Sequence, residues 1–185
     1  MFEIDDLIVD LRAAVDETEP RRAVREVLDR AVSEPSEVAA AFDPQEGGIT
    51  LVHHTPELTV LNVVWAPGME LYPHDHRMWA AIAIYEGIED NAFFRRPSPD
   101  ARTLVESGGK HLHVGDSIVL GDDVIHSVAN PAKRLTGAIH VYGGDFVNQP
   151  RSQWGPGPEE ERPYDIEDAY QQFAAANEAW RASMR

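Results

Sequence analysis

The sequence has no cysteine. That absence excludes disulfides, thiolate metal sites and cysteine nucleophiles together. Basic residues are scarce: 16 Lys and Arg stand against 32 Asp and Glu, giving a formal net charge of −16 over 185 residues. A surface of that sign repels phosphate backbones and anionic lipid, so neither nucleic acid nor a membrane is expected as a partner. No stretch approaches the roughly 20 apolar residues of a membrane-spanning helix. The first residues, Met1-Phe2-Glu3-Ile4-Asp5-Asp6, are acidic where a secretory leader is basic, and a cytoplasmic protein is expected. There is no phosphate-binding loop, no Ser-His-Asp arrangement with a nucleophile elbow and no paired-carboxylate signature. What remains is an ordinary globular composition, 43% hydrophobic and 26% charged, of a length that closes one core and reads as a single domain, 1–185.

Three parts follow one another along that domain. Residues 1–43 read as a helical extension. Ile4, Leu7, Ile8, Leu11 and Val15 stripe one helix face, Pro20 breaks the run, and Ala23, Val24, Val27, Leu28 and Val32 begin a second stripe. Ser36 is placed to cap a short third helix. Residues 48–147 change to short β-rich runs separated by Gly, Pro, Asn and Asp: 49–53, 58–65, 79–85, 88–95, 102–105, 117–120, 125–128 and 136–142. Strands at that spacing predict an all-β sandwich or barrel. Residues 148–185 hold a Pro/Gly/Glu-rich connector, expected to wrap over the barrel, and a C-terminal helix. The acidic clusters Asp122-Asp123 and Glu159-Glu160-Glu161 read as solvated loops.

The chemistry-bearing residues are the histidines, eight in all. His74-Asp75-His76 places two imidazoles two residues apart, and an extended segment sends both to one face. Two imidazoles on one face are half of a metal site. His126 follows Gly115 and Gly121 and precedes Asn130. His140 and Tyr142 are again two apart. His53-His54 and His111-Leu112-His113 read as surface or edge residues, while Trp65, Met78 and Trp79 are candidates to wall a cavity or simply to pack.

Gly68-x5-His74-x-His76, ending near Gly87, resembles the first motif of the cupins. Gly115-x5-Gly121-x4-His126-x3-Asn130 resembles the second, with Asp122-Asp123-Val124 where a proline usually precedes the histidine. The resemblance implies a cupin double-stranded β-helix, a jelly-roll barrel, between the N-terminal α-helices and the C-terminal helix. It also implies a divalent metal held inside the barrel by His74, His76 and His126. The glutamate ligand that most cupins carry four or five residues after the second histidine is absent, since Ala80 and Ala81 stand there, and Glu86 reads as a turn residue. A three-His site without a carboxylate resembles the thiol dioxygenases of the cysteine dioxygenase group. Ala138-Ile139-His140-Val141-Tyr142 is similar to that family's Ser-x-His-x-Tyr strand, in which the histidine orients the tyrosine hydroxyl near the substrate. Here Ala138 replaces the serine.

That resemblance implies Fe(II) as cofactor, with Ni, Mn, Zn or Cu left open because ligands alone do not name the metal. It implies catalytic roles for Tyr142 and His140, a small thiol-containing substrate, and O2 as co-substrate. Arg77, Arg95 and Arg96 are candidates, by position alone, for binding a substrate carboxylate, and Arg95-Arg96 reads equally as a solvated strand end. A non-thiol oxygenase, an isomerase, or a non-catalytic metal- or ligand-binding protein stays open on the same residues, as does an oligomeric assembly.

Overall fold

The computed structural model describes residues 2–156 and 160–184, so Glu159 of the acidic run lies outside the described residues. Three helices come first: α1 (Ile4–Val15), α2 (Pro20–Ala31) and α3 (Pro35–Phe42). Pro20 and Pro35 sit at the first turns of α2 and α3. The missing N–H is harmless there, and the fixed φ suits a helix start. Pro20 therefore opens a helix as well as separating two. Ser36 lies inside α3 and does not cap it; Glu34 holds the cap position.

Nine strands follow: β1 (Gly48–His54), β2 (Thr59–Trp65), β3 (Glu70–Asp75), β4 (Ala80–Glu86), β5 (Ile88–Arg95), β6 (Val105–His113), β7 (Ser117–Leu120), β8 (Ile125–Ala129) and β9 (Thr136–Tyr142). Two short strands, β10 (Ser152–Gln153) and β11 (Arg162–Pro163), precede α4 (Ile166–Ser183). One sheet runs β1-β2-β9-β4-β7 and the other β11-β10-β3-β8-β5-β6. Every adjacent pair is antiparallel. The fold is the cupin double-stranded β-helix.

Alternation assigns the two faces of the first sheet. Leu61, Val63 and Trp65 of β2, Ile82 and Ile84 of β4, and Ala138 and Tyr142 of β9 point inward. There they join Leu71, Leu112 and Val128 from the opposing sheet. The intervening Val60, Ala81, Ala83, Tyr85, Ile139 and Val141 point outward and are covered by Leu7, Leu11, Val24, Leu28 and Val38 of the helices. Both faces are dry, so β2, β4 and β9 read as continuous apolar runs. The N-terminal helices thus cover the barrel wall. At one end of the barrel, Phe173 of α4 stacks on Trp65 with ring centroids 5.3 Å apart. Asp165 caps α4, its carboxylate accepting from the Glu167 amide at 3.0 Å. No helix among the described residues is long and apolar enough to cross a membrane.

Two strands depart from the sequence expectation. β6 runs over 105–113, not 102–105. It is an edge strand, exposed except at Leu112, and carries Ser107-Gly108-Gly109, so it lacks any apolar alternation. β3 is not among the runs marked out above, and it contains Pro73, a residue that sheets confine to edges and irregular positions. The pairing with β8 shifts register between Leu71 and His74, and the proline falls in that irregular stretch.

The connector does more than cross the surface. β10 pairs with β3 through Gln153 opposite His74. Buried Asp75 accepts from the Ser152 amide at 2.7 Å and from Arg77 Nε at 2.5 Å. Glu161, expected in a solvated loop, accepts from Ser152 Oγ at 2.7 Å and is gripped by both terminal nitrogens of Arg96. The Arg96 hydrogen bond, above all, lowers the Glu161 carboxyl to about 2. Arg96 also lies 5.1 Å over the Trp154 ring, so it is a structural clamp and not a solvated strand end. Asp122 is exposed, as expected, and pairs with Arg21.

Gly87 ends β4 with φ +76°, where a Cβ would sit 2.7 Å from the Leu135 carbonyl oxygen. Gly87→Ala combines backbone strain with a clash and is expected to lose about 2–4 kcal/mol of stability. Urea denaturation of the metal-free protein, with an unchanged slope, checks this.

Candidate metal centre

His74 and His126 are direct cross-strand partners on β3 and β8, so their rings share the inward face. His76 lies just past β3, and Arg77 after it adopts φ +55°, a left-handed conformation uncommon for a non-glycine residue. The three histidines meet. His76 Nε2 lies 3.3 Å from His74 Nε2 and 3.2 Å from His126 Nε2. All three are buried. They form one group of metal-competent side chains containing no carboxylate. Ala80 faces inward beside them and Ala81 outward, while Glu86 pairs with Gly137 at the strand end, away from the group.

The protons on these rings are dictated by their outer partners. Asn91 Nδ2 donates to Glu89, which turns Asn91 Oδ1 toward His126 Nδ1 at 2.7 Å. His126 must therefore carry its proton on Nδ1, leaving a lone pair on Nε2. His74 Nδ1 donates to the Tyr72 carbonyl at 3.0 Å, which likewise leaves Nε2 bare. Two lone pairs face His76 Nε2, which can offer at most one proton. Burial holds His74 down to about 4 and pushes His76 and His126 well below the ordinary imidazole value, so all three stay neutral. One divalent cation satisfies all three nitrogens. Bonds of about 2.0–2.1 Å to a shared ion put neighbouring ligand nitrogens roughly 3.0–3.4 Å apart. His76 Nε2 stands at that spacing from each of the other two nitrogens, and all three ligand atoms lie within 4.8 Å of one another. The residues fit a metal ion.

His140 and Tyr142 on β9 join this group, as their shared face predicts. Tyr142 packs edge-on against His76, centroids 5.1 Å apart, and stacks on Phe146 at 3.8 Å. Its hydroxyl lies 3.2 Å from His140 Nδ1. Burial raises the Tyr142 pKa far above the usual phenol value, so it remains an O–H donor. Behind His140 lies Glu89, fully buried, with Oε2 3.6 Å from His140 Nε2. Glu89 accepts from Trp65 Nε1 at 2.8 Å and from Asn91 Nδ2 at 2.9 Å. It thus stands behind both His140 and, through Asn91, His126. Sequence reasoning missed it because Glu89 lies in Ile88-Glu89-Asp90, which reads as a polar strand end. The available signal was alternation: Glu89 and Asn91 share one face of β5.

The cavity over the histidines holds about 280 Å³. Trp65 lines it; Met78 and Trp79 are not among its lining residues, and Trp79 packs on the helix-covered face. None of the three arginines singled out by position reaches it. Arg77 and Arg96 hold the connector, and Arg95 is exposed. Arg151 lines it instead, clamped over Phe146 at 3.9 Å and Tyr164 at 4.0 Å. Its Nη1 donates to the Phe146 carbonyl at 2.7 Å, and its Nε is buried without a hydrogen-bond partner. Arg151 sits in the Pro-rich connector, where nothing in the sequence pattern points inward. His54 pairs with Asp145 and His111 with Asp90, and neither lines the cavity.

No family model matches the sequence. Solved structures do. A Bacillus halodurans protein aligns over 58% of this chain and 77% of its own, at 12% identity and TM-score 0.50. An RmlC-like cupin family protein with a double-stranded β-helix fold, from Methanocaldococcus jannaschii, aligns over 57% and 86%, at 11% identity and TM-score 0.46. A cupin superfamily protein from Desulfitobacterium hafniense aligns over 58% and 88%, at 12% identity and TM-score 0.46. These similarities concern the barrel fold.

The depressed imidazole values carry a stability consequence. Unfolded histidines titrate near 6.5 and these titrate lower, so the unfolded chain binds more protons between those limits. The contribution is complete above about pH 6.5 and is lost as pH falls toward about 4. The urea midpoint of metal-free protein is expected to drop between pH 7.5 and pH 5. His74→Asn, which removes one of these titrations, is expected to flatten that profile.

Proposed function

We propose that the protein is a metal-dependent dioxygenase that inserts O2 into a small thiol at an iron(II) centre held by His74, His76 and His126. The observation carrying this reading is a buried three-imidazole group without a carboxylate, with a protonated Tyr142 hydroxyl packed against it. The reaction is R–SH + O2 → R–SO2H. Both oxygen atoms end on sulfur and no external reductant is consumed.

Three neutral ligands would leave the ion its full double charge and open positions, so that an anionic thiolate and O2 can meet there. Nickel, zinc and copper suit the same nitrogens, manganese stays open, and iron is chosen through the resemblance to the three-His thiol dioxygenases. The protein's own residues do the rest. Asn91 and the Tyr72 carbonyl fix the His126 and His74 rings. Arg151, the one Lys or Arg side chain lining the cavity among the described residues, is placed to pair with a substrate carboxylate. Tyr142 gives or takes a proton at its phenolic oxygen. Glu89, facing His140 Nε2, favours the proton on that nitrogen and leaves Nδ1 to accept from Tyr142. Apolar walls keep bulk water from the reacting atoms.

Oxygen consumption by the iron-loaded protein across a panel of small thiols tests the activity. Stoichiometric uptake with sulfinate formation is expected for at least one thiol, and no uptake at full iron occupancy would remove the thiol assignment. Tyr142→Phe is expected to lower kcat by about 10²–10⁴ with iron content unchanged. A protein that only binds metal would lose nothing measurable from that change. Alanine at His74, His76 or His126 is expected to abolish stoichiometric metal binding, read by elemental analysis.

A further inference from the structure

The cavity has two chemically different ends. Its inner end is polar: the three imidazoles, His140, Tyr142 and Arg151. Its outer end is apolar and open to water. Leu51 and Val147 are each 53% exposed, Tyr170 45% and Ile166 37%. Only eight large apolar side chains are exposed among the described residues, and these four surround one opening. Such clustering marks a binding surface rather than the ordinary scatter of exposed apolar residues. Between rim and imidazoles the wall continues through Ile49, Leu61, Val63, Leu71 and Val128.

Charge narrows the occupant further. The chain carries 32 acidic residues, yet among the described residues no aspartate or glutamate lines this cavity. An ammonium group entering it finds Arg151 and no carboxylate. Volume narrows it again. About 280 Å³ corresponds to roughly nine waters at about 30 Å³ each, so a three-carbon acid would leave water against apolar walls.

We propose that the substrate is an amphipathic anion: a mercapto-carboxylate without an ammonium group, whose apolar chain runs from Arg151 and the imidazoles out to the rim of Leu51, Val147, Ile166 and Tyr170. The assignment rests on the metal-centre reading for the thiol alone. The tail and the carboxylate rest on the cavity and on Arg151.

The test has two arms. In the first, metal-free protein is titrated calorimetrically with straight-chain alkanoates from butanoate to decanoate, which carry no thiol. Affinity is expected to rise about two- to fourfold per methylene until the cavity is filled. Leu51→Asp and Val147→Asp together, with melting temperature as the check on folding, are expected to flatten that slope. A flat or falling series in the native protein overturns the proposal. So does a native dimer that the two rim aspartates split into monomers, because the rim would then be covered by a second copy of the chain. In the second arm, zinc-loaded protein, inert to redox chemistry, is titrated with 3-mercaptopropionate, its 3-propyl homologue and cysteine. The propyl compound is expected to bind most tightly and cysteine least; cysteine binding best overturns the proposal. Failure of both mercapto-acids to bind, with the alkanoate slope intact, counts against the thiol at the metal and leaves the amphipathic anion standing.

Discussion

Three buried, uncharged imidazoles converge: His76 Nε2 lies 3.2 and 3.3 Å from the Nε2 atoms of His126 and His74, and all three ligand atoms lie within 4.8 Å of one another. At most one proton can lie among them, because the outer nitrogens of His126 and His74 are committed to Asn91 and to the Tyr72 carbonyl. A buried cluster of lone pairs is costly unless a cation sits among them. The surrounding structure is arranged around that constraint. Strand pairing sets His74 opposite His126, the short β10 strand braces β3 beside His74, and the left-handed turn at Arg77 ends the segment that carries His76.

Rigidity at the site comes from burial on both sides. β9 carries His140 and Tyr142 inward and Ile139 and Val141 outward, and the outward pair is locked under α1–α3. A side chain held on a strand packed on both faces keeps its position far better than one on a loop. The exception is Arg151, which comes from the connector and is fixed by stacking between Phe146 and Tyr164 and by two backbone carbonyls. The polar scaffold is economical. Glu89 serves Trp65, Asn91 and His140 at once, so one buried carboxylate links the inward-facing imidazole of His126 to the Tyr142 pair.

Much of this was legible before any coordinates. β7 and β9 fall on the residues their apolar runs mark out, and the helical stripes are the faces that cover the sheet. His74 with His76, and His140 with Tyr142, were readable because extended backbone alternates, so residues two apart share a wall; His126 was found only through the resemblance of its Gly-spaced motif to the cupins. What escaped notice did so for physical reasons. β6 is an exposed edge whose pairing is made by backbone alone, so its side chains carry no pattern. β3 is interrupted by Pro73 at an irregular pairing. Arg96 and Glu161 lie 65 residues apart in sequence, and nothing local announces that they meet. Arg151 and Glu89 act through tertiary neighbours, and each looks locally like any charged surface residue.

The claim that one ion is shared by three imidazoles is tested most directly by X-ray absorption on protein loaded with a single equivalent of iron(II). The expected spectrum has three imidazole nitrogens at about 2.0–2.2 Å, with multiple-scattering features from the rings and the remaining light scatterers supplied by solvent. A shell dominated by carboxylate oxygens, or one or two imidazoles per iron, would contradict it.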